Sequence, residues 1–266
     1  MTSDKKNISL LADLAIKSGI SNIVISPGSR NAPIILSFAN RSEVKAFSII
    51  DERSAAFFAL GLALKTGKPV AIACTSGSAV LNYASAISEA YYQHVPLLII
   101  TADRPEMLVD IGDGQTIRQK DVFSNFVKSS YQLSENIDAK EQFNNTEEII
   151  NKALNACLLP EPGPVHINIP FAEPIYGTTD EIVSGKFSNN LDLPKPTDTS
   201  TINDIIETFN SSKKVMIIAG QNRPDEELNT LLCELSGNSN TVILTETTSN
   251  LYCEDFIDTI DNVVST

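Results

Sequence analysis

Short apolar runs alternate with segments of helical apolar spacing along most of this chain. The runs predict strands at residues 22–25, 45–50, 69–74, 96–101, 123–131 and 165–169. The spacing predicts a first helix that is capped by Asn7 and ends near Gly19, and further helices at residues 33–39, 53–65, 78–92 and 139–158. Continuous apolar runs are typical of strands covered on both faces. The alternation therefore predicts an α/β fold with a doubly wound parallel sheet.

The pattern changes after residue 177. Residues 1–177 are predicted as one domain, and residues 178–201, rich in Ser, Thr, Asn, Asp and Pro, as a linker. Residues 202–266 then begin a second α/β domain, with helices at 202–209 and 225–235 and strands at 214–219 and 242–245. About two strands are too few for an independent sheet core. Either this part packs against the first domain, or the chain is a piece of a longer protein.

Four polar loops each follow a predicted strand. Their sequences are SPGSR at residues 26–30, DERS at 51–54, TSGS at 75–78 and TADRP at 101–105. The carboxyl ends of parallel strands meet at one edge of a sheet, and open α/β sheets bind their ligands there. The loops therefore predict a site to which Glu52, Arg30 and Arg104 contribute.

The composition narrows the classes of partner. The 266 residues carry a formal charge of −13, and 42% are hydrophobic, as in soluble globular proteins. A negative field repels phosphate backbones and anionic membrane surfaces, so we expect neither nucleic acid nor membrane as a partner. The N-terminus lacks the pattern of a signal peptide, and the four cysteines form no Cys-x-x-Cys pair. We therefore expect a cytoplasmic protein with small-molecule ligands.

Glu52 is the acidic residue of greatest chemical interest. It lies between an apolar strand and the apolar helical segment 55–60. A carboxylate in such surroundings can be partly desolvated, which suits it to exchange a proton near neutral pH. The alternative is that Asp51 and Glu52 only cap the helix and favour its positive end.

Arg30 and Arg104 point to an acidic ligand. Guanidinium groups match carboxylates in two-point geometry, so a pair at one sheet edge favours a polycarboxylate substrate. Alternatively, each arginine pairs with a neighbouring acid such as Asp103 or Glu106. Residues 75–78 open a predicted helix, where backbone N–H groups and hydroxyls can cradle an anion. They lack the lysine and glycine spacing of a phosphate loop, and a plain helix cap explains them more simply.

The two histidines do not indicate a catalytic or metal site. His166 lies inside a predicted strand, where a hydrogen-bonded core residue is the simplest interpretation, and His94 precedes Pro96 in a loop. Two separated histidines without nearby cysteine or carboxylate spacing do not form a zinc motif. No motif supports a serine–histidine triad.

Five motifs in a fixed order carry a family resemblance. They are ISPGSRNAP at residues 25–33, DERSA at 51–55, TSGSA at 75–79, TADRP at 101–105 and GDGQTIRQ at 112–119. Together they resemble the 2-succinyl-5-enolpyruvyl-6-hydroxy-3-cyclohexene-1-carboxylate synthase family, thiamine-diphosphate enzymes of menaquinone biosynthesis. The resemblance runs from about Leu10 to Pro174 and more weakly beyond. It implies that residues 1–177 are a pyrimidine-binding domain and that residues 202–266 begin a middle domain.

The resemblance also implies roles for individual residues. Members of this family decarboxylate 2-oxoglutarate and add the resulting carbanion equivalent to isochorismate. Glu52 is implied to hydrogen-bond the cofactor's pyrimidine N1′ and so to activate the cofactor. The residues implied to border the cofactor are Thr75, Ser76, Gly77 and Ser78. The residues implied to bind substrate carboxylates and hydroxyls are Ser29, Arg30, Arg104, Gln115 and, less centrally, Gln119.

No metal ligand is predicted in this chain. The run 112–114, Gly-Asp-Gly, followed by Asn144 and Asn145, fits the pattern by which thiamine-diphosphate enzymes hold Mg²⁺. However, the asparagines fall inside a predicted helix, and the resemblance aligns Asp113 with the substrate loop. Mg²⁺ or Mn²⁺ is implied to bind to a later domain that this chain does not reach. Because such active sites form between subunits, we expect a dimer or tetramer of the complete enzyme and an inactive fragment.

Two other functions remain open at this point. Another thiamine-diphosphate carboligase or decarboxylase, similar to acetolactate synthase, would keep Glu52 without using Arg30, Arg104 or Gln115. A non-catalytic acid-binding or assembly domain would use Glu52 only as a helix cap.

Overall fold

A six-stranded parallel sheet forms the centre of the first part of the chain. In chain order the strands of this part are β1 (Thr2–Ser3), β2 (Asn22–Ile25), β3 (Lys45–Ser48), β4 (Val70–Cys74), β5 (Leu97–Asp103), β6 (Ser129–Gln132), β7 (Val165–Pro170) and β8 (Thr178–Thr179). The order across the main sheet is β3-β2-β4-β5-β7-β6, and all neighbours are parallel. The short strands β1 and β8 pair antiparallel outside it. The predicted fold class is confirmed.

Helices cover both faces of this sheet. They are α1 (Lys6–Lys17), α2 (Ala32–Ala39), α3 (Glu52–Thr66), α4 (Ser78–Leu81), α5 (Ala84–Tyr92) and α6 (Lys140–Leu158). Ile23 and Ile25 of β2 pack in the apolar layer with α1, α2 and α6, whereas Val24 packs in the layer with α3 and α5. This alternation explains why the central strands β2, β4 and β5 are continuous apolar runs, because both of their faces are buried, whereas the edge strand β3 is mostly exposed.

The computed structural model describes residues 1–189 and 197–260. It divides the chain into two compact units, Met1–Pro194 and Lys195–Thr266. Part of the predicted linker packs along the first unit, since Ser184 and Gly185 donate hydrogen bonds to Asp13 of α1. The domain boundaries assigned from the sequence stay a prediction. Within the described residues, no helix has the length and apolar character needed to cross a membrane.

The predicted capping role of Asn7 is wrong. Helix α1 begins at Lys6 with Lys5 as its N-cap, so Asn7 lies in the first turn. The Asn7 side chain is buried, and its Nδ2 donates to the carbonyl oxygens of Ser134 at 2.9 Å and Glu135 at 3.2 Å. These partners lie far away in the chain, so a local sequence pattern could not indicate them.

Two other predicted elements have different bounds. The predicted helix at 78–92 is interrupted between α4 and α5, around Asn82 and Tyr83. The predicted strand at 123–131 is replaced by β6, which begins only at Ser129. Phe123 and Val127 are buried in the layer with α3 and α5 although they lie outside any strand. A loop that covers a core shows the same apolar signal as a short strand.

The second unit contains the predicted order of helix, strand, helix and strand. Its elements are α7 (Thr199–Ser211), β9 (Val215–Ala219), α8 (Glu226–Ser236) and β10 (Thr241–Thr245). β9 and β10 are parallel neighbours. Helix α7 begins before the predicted residue 202 because Asp198 caps it, accepting a hydrogen bond from the Thr201 N–H at 2.7 Å.

Candidate active site

The polar loops after β2, β3, β4 and β5 lie at the carboxyl edge of the sheet, because these strands are parallel neighbours. The first and third loops are in direct contact. A Cβ added to Gly28 would lie 2.5 Å from the Thr75 Cβ, so only glycine fits there. Asn31 holds the first loop, since its Oδ1 accepts from the Gly28 N–H at 2.9 Å and its Nδ2 donates to the Ser26 carbonyl at 2.8 Å. The sequence analysis missed this buried asparagine.

The two acids after β3, Asp51 and Glu52, occupy different positions at the start of α3. The Asp51 carboxylate accepts a hydrogen bond from the Ser54 N–H at 2.7 Å and is the N-cap of α3. Glu52 is the first residue of that helix and is half-buried. Asp51 provides the side-chain cap, and Glu52 lies in the first turn, at the positive end of the helix. A role of Glu52 beyond the start of the helix stays a prediction.

Uncharged polar groups accompany Glu52. Burial raises the pKa of the Cys74 thiol far above its usual value, and the negative charge of Glu52 raises it further. Burial likewise raises the pKa of the Tyr83 phenol, with smaller contributions from Cys74 and Glu52. The Tyr83 hydroxyl donates to Ser26 Oγ at 3.4 Å. At neutral pH both groups are therefore uncharged.

The loop at residues 75–78 is joined to the loop at 112–119. The Ser76 hydroxyl donates to the Gln115 carbonyl at 2.9 Å, so it does not cap α4. Gly77 has φ 84°, and a Cβ there would lie 2.9 Å from the Gln115 oxygen. Gly77 is thus required both by its backbone conformation and by the close approach of the second loop.

Gln119 lies beneath these loops. It is 1% exposed, and its Oε1 accepts from the Gly77 N–H at 2.8 Å. Its Nε2 donates to the Ala102 carbonyl at 2.9 Å and to Asn168 Oδ1 at 3.0 Å. Both amide hydrogens are therefore bonded within the protein, which makes Gln119 a support for the loop at 75–78.

A buried polar network continues from Asn168. Its Nδ2 donates to Asp103 Oδ2 at 2.8 Å, and its Oδ1 accepts from the Thr101 hydroxyl at 2.8 Å. Burial raises the pKa of Asp103, although hydrogen bonds from Asn168 and the Arg104 N–H oppose this shift. His166 Nε2 lies 2.7 Å from Thr101 Oγ1, and burial lowers the pKa of His166 to about 4. The interpretation of His166 as a hydrogen-bonded core residue is confirmed.

Arg30 and Arg104 lie beside the ends of β5 and β7. Arg30 is buried; its Nη1 donates to the Phe171 carbonyl at 2.9 Å, and its Nη2 lies 3.0 Å from Glu173 Oε1. The Phe171 N–H in turn donates to the carbonyl of Asp103, directly before Arg104. The two arginines are therefore attached to the same part of the sheet edge.

Each arginine has an acidic neighbour, but not the expected one. The Arg104 Nε lies 3.6 Å from Asp113 Oδ2, and its Nη2 donates to the Gly114 carbonyl at 3.1 Å. Arg104 donates to Asp103 through its backbone N–H and not through its guanidinium group, so the expected side-chain pairs with Asp103 or Glu106 are wrong. Within the described residues, the buried Nε atoms of Arg30 and Arg104 have no hydrogen-bond partner. Buried donors without partners are rare, and both can serve an acidic ligand.

Ser29 and Gln115 are exposed at this rim, and Gln115 has a left-handed backbone with φ 53°. A cavity of about 140 Å³ lies beside Arg104, and Arg118 and Lys120 also line it. The sequence analysis did not single out these two cations, although the motif at 112–119 contains one and ends beside the other. The edge therefore combines a half-buried carboxylate with several cationic side chains.

The residues of the suspected magnesium pattern have other surroundings. Asp113 accepts a hydrogen bond from the Thr116 hydroxyl at 3.2 Å and faces Arg104. Asn144 and Asn145 lie within α6, as predicted. In the part of the chain that the structure describes, no three His, Cys, Asp or Glu side chains are grouped as metal ligands.

Comparisons with known proteins agree with this geometry. Residues 7–126 match the family described as thiamine pyrophosphate enzyme, N-terminal TPP binding domain. The chain is 44% identical over 257 residues to the 2-succinyl-5-enolpyruvyl-6-hydroxy-3-cyclohexene-1-carboxylate synthase of Flavobacterium johnsoniae and 41% identical over 269 residues to that of Porphyromonas gingivalis. These alignments cover 96% and 99% of this chain, but 45% and 46% of the relatives. The chain spans about half the length of the curated relatives it matches, and the inferred resemblance is confirmed.

Proposed function

We propose that this chain, whose residues 7–126 match the thiamine pyrophosphate enzyme N-terminal domain, is the N-terminal part of a thiamine-diphosphate-dependent transferase. The complete enzyme would decarboxylate 2-oxoglutarate and add the succinyl-semialdehyde carbanion equivalent to isochorismate in menaquinone biosynthesis. The observation that carries this proposal is the position of Glu52. It lies at the ligand-binding edge of the sheet, half-buried, while Asp51 caps the helix.

The residues of this edge fit the pyrimidine half of thiamine diphosphate. When bound, this cofactor supplies the carbon nucleophile that a 2-oxo acid requires to lose carbon dioxide. Glu52 would hold a proton in a hydrogen bond to the pyrimidine N1′. Cys74 and Tyr83, whose pKa values are affected by the charge of Glu52, would both be uncharged at neutral pH. The loop at residues 75–78 (Thr75, Ser76, Gly77, Ser78) would border the cofactor. Mg²⁺ or Mn²⁺ would be held by a part of the longer protein outside this chain.

The cationic side chains would bind the acidic substrates. Among the residues that the structure describes, the Nε–H groups of Arg30 and Arg104 find no hydrogen-bond partner, and a substrate carboxylate would supply one to each arginine. Ser29 and Gln115 would contact substrate from the exposed rim. Gln119 would act through its hydrogen bond to Gly77, because its own amide hydrogens are already bonded.

The remaining parts of the proposal concern the complete protein. We propose that it is a cytoplasmic homodimer or homotetramer, in which another subunit supplies the half of the site that holds the diphosphate. The partners would be the small-molecule substrates, with neither nucleic acid nor membrane involved. On this proposal the present chain alone is inactive.

The experiment that tests the proposal is Glu52→Gln in the complete protein, assayed with 2-oxoglutarate and isochorismate. Loss of a positioned proton-transfer group lowers turnover by about 10²- to 10⁴-fold. Asp51→Asn is the matched control, because it removes a neighbouring carboxylate that caps the helix. Near-normal cofactor-dependent turnover of Glu52→Gln would exclude the catalytic role. Loss of turnover in both variants, with equal loss of thermal stability, would show that the acids act only structurally.

A further inference from the structure

Two cysteines of the second unit lie together. Cys233 is on α8, and its thiol donates to the carbonyl of Tyr252 at 3.8 Å. Tyr252 directly precedes Cys253 in the chain, so the contact of the Cys233 thiol with the Tyr252 carbonyl brings the two cysteines near each other. Both cysteines are half-buried and pack at the edge of the same apolar cluster. The pair is therefore close in space and accessible to a small solute.

The loop that carries Cys253 is held on α8. Asn229 Nδ2 donates to the Tyr252 carbonyl at 3.2 Å, and the Tyr252 N–H donates to Asn229 Oδ1 at 2.7 Å. The Phe256 N–H donates to the Cys253 carbonyl at 3.1 Å and closes a turn after the cysteine. These bonds keep the two sulfur atoms near each other without any covalent link.

We propose that Cys233 and Cys253 are a redox modification site that forms a reversible intramolecular disulfide. Such a bond would join the loop around residues 250–256 covalently to α8. The inference rests only on the geometry of the second unit and does not depend on the proposed function.

The two thiols have unequal roles. The neighbouring Cys233 and the Asp255 backbone N–H lower the pKa of Cys253, although burial opposes them. The pKa of Cys233 is raised, chiefly by the neighbouring Cys253. The thiolate is the reactive form of cysteine. Cys253 is therefore the attacking residue, and Cys233 the one that resolves the product.

The oxidant is a hydroperoxide. The Cys253 thiolate attacks one peroxide oxygen, the O–O bond breaks, and the departing hydroxide takes a proton to become water. The Cys233 sulfur then attacks the sulfur of the sulfenic acid, and the S–S bond forms. The Cys233 proton and the sulfenic hydroxyl leave as a second water. Two thiols lose two electrons and two protons, and a small dithiol can reverse the change.

The other two cysteines are internal controls. Cys74 and Cys157 are buried, and burial raises the pKa of Cys157 to about 12 and that of Cys74 further. Neither thiol is ionised at neutral pH. We expect both to remain reduced under conditions that oxidise the pair.

The test is oxidation of the full 266-residue chain by hydrogen peroxide at neutral pH, followed by alkylation and intact mass measurement. We expect loss of two hydrogens, a cross-linked peptide containing Cys233 and Cys253, and reversal by dithiothreitol. Cys74 and Cys157 should be alkylated only after denaturation. Full alkylation of all four cysteines after peroxide, or a disulfide that joins two chains on a non-reducing gel, would overturn the proposal.

Two variants test the unequal roles. Cys233→Ser should leave a sulfenic acid on Cys253 that dimedone traps. Cys253→Ser should react with peroxide more slowly than Cys233→Ser, because the Asp255 backbone N–H that lowers the pKa of Cys253 has no counterpart at Cys233. Equal rates in the two variants would overturn the assignment of Cys253 as the attacking thiol. The cross-link in the unmodified sequence tests the pair independently of how well either variant folds.

Discussion

Asn168 is the junction of the buried network beneath the candidate site, and its replacement by leucine is the most informative change. Its amide joins Asp103 at 2.8 Å, the Thr101 hydroxyl at 2.8 Å and Gln119 at 3.0 Å. Leucine has a similar volume but offers no polar atom. In the variant, Asp103 Oδ2 and one Gln119 amide hydrogen lose the Asn168 partner, while Asp103 Oδ1 keeps the Arg104 N–H and Thr101 keeps His166.

The expected loss of stability follows from these two groups. A buried polar group left without a partner costs about 1–3 kcal/mol, so Asn168→Leu should lower the free energy of unfolding by about 2–6 kcal/mol. The pKa of Asp103, already raised by burial, should rise further without the Asn168 hydrogen bond. Protonation of Asp103 then limits the penalty at acidic pH. The difference between variant and parent should therefore be larger at pH 7 than at pH 4.

The assay is urea unfolding of the chain, followed by far-UV circular dichroism at both pH values. Asn145→Leu is the matched control, because it is the same substitution at an exposed position of α6. An exposed substitution of this kind stays within about 0.5 kcal/mol of the parent. A loss below about 1 kcal/mol for Asn168→Leu, or a loss equal to that of the control, would refute the view that this network is fully bonded and buried.

Three further changes test other parts of the first unit. Burial lowers the pKa of His166 from 6.5 to about 4, so the folded protein holds this side chain neutral at pH 7. The stability that it contributes is fully present above pH 6.5 and is lost as the pH falls towards 4. The difference in the free energy of unfolding between the parent and His166→Asn, measured in urea, should fall by about 3 kcal/mol over that range. A difference that stays constant with pH would contradict this prediction. Gly28→Ala should destabilise the chain by about 1–3 kcal/mol in the same assay, because the added Cβ clashes with the Thr75 Cβ. Adding Thr75→Gly to this variant should recover most of the loss, because it removes that atom. Recovery by Thr75→Ala, which keeps the atom, would contradict the geometry. In the complete protein, Arg104→Lys should raise KM for an acidic substrate about ten- to hundredfold in steady-state kinetics. Arg41→Lys is the control, because Arg41 pairs with Glu43 in the turn before β3. An unchanged KM for Arg104→Lys would remove Arg104 from the site.

The positions of the loops were predictable from the sequence because topology determines them. Once the strands are parallel, the loops after β2 and β4 must emerge at one edge, whatever the details of packing. The five motifs in order then identified the relatives. Gly28 and Gly77 also lie inside these motifs, although the reason for each glycine is visible only in the structure. In both cases a second loop lies too close for a side chain.

The partners of the polar side chains were not predictable. Arg30 is paired with Glu173, and Asn7 is bonded to carbonyls near residue 134, across long separations in the chain. Local periodicity records which face of an element is apolar, but it does not record which distant polar atom completes a hydrogen bond. The expected acidic partners of Arg104 were wrong for the same reason, since the loop at 112–114 folds back over it.

The adjacent acids Asp51 and Glu52 show how one helix start can serve two purposes. A helix needs one acceptor for its first free N–H groups, and the extended backbone of Asp51 directs its carboxylate to the Ser54 N–H. The Glu52 side chain therefore does not have to cap the helix. It remains at the positive end of the helix, near the buried Cys74 and Tyr83. If Glu52 were itself the cap, its carboxylate would be occupied by backbone donors and unable to bond a ligand. The division of roles between two neighbouring acids is therefore what leaves a carboxylate available at the edge of the sheet.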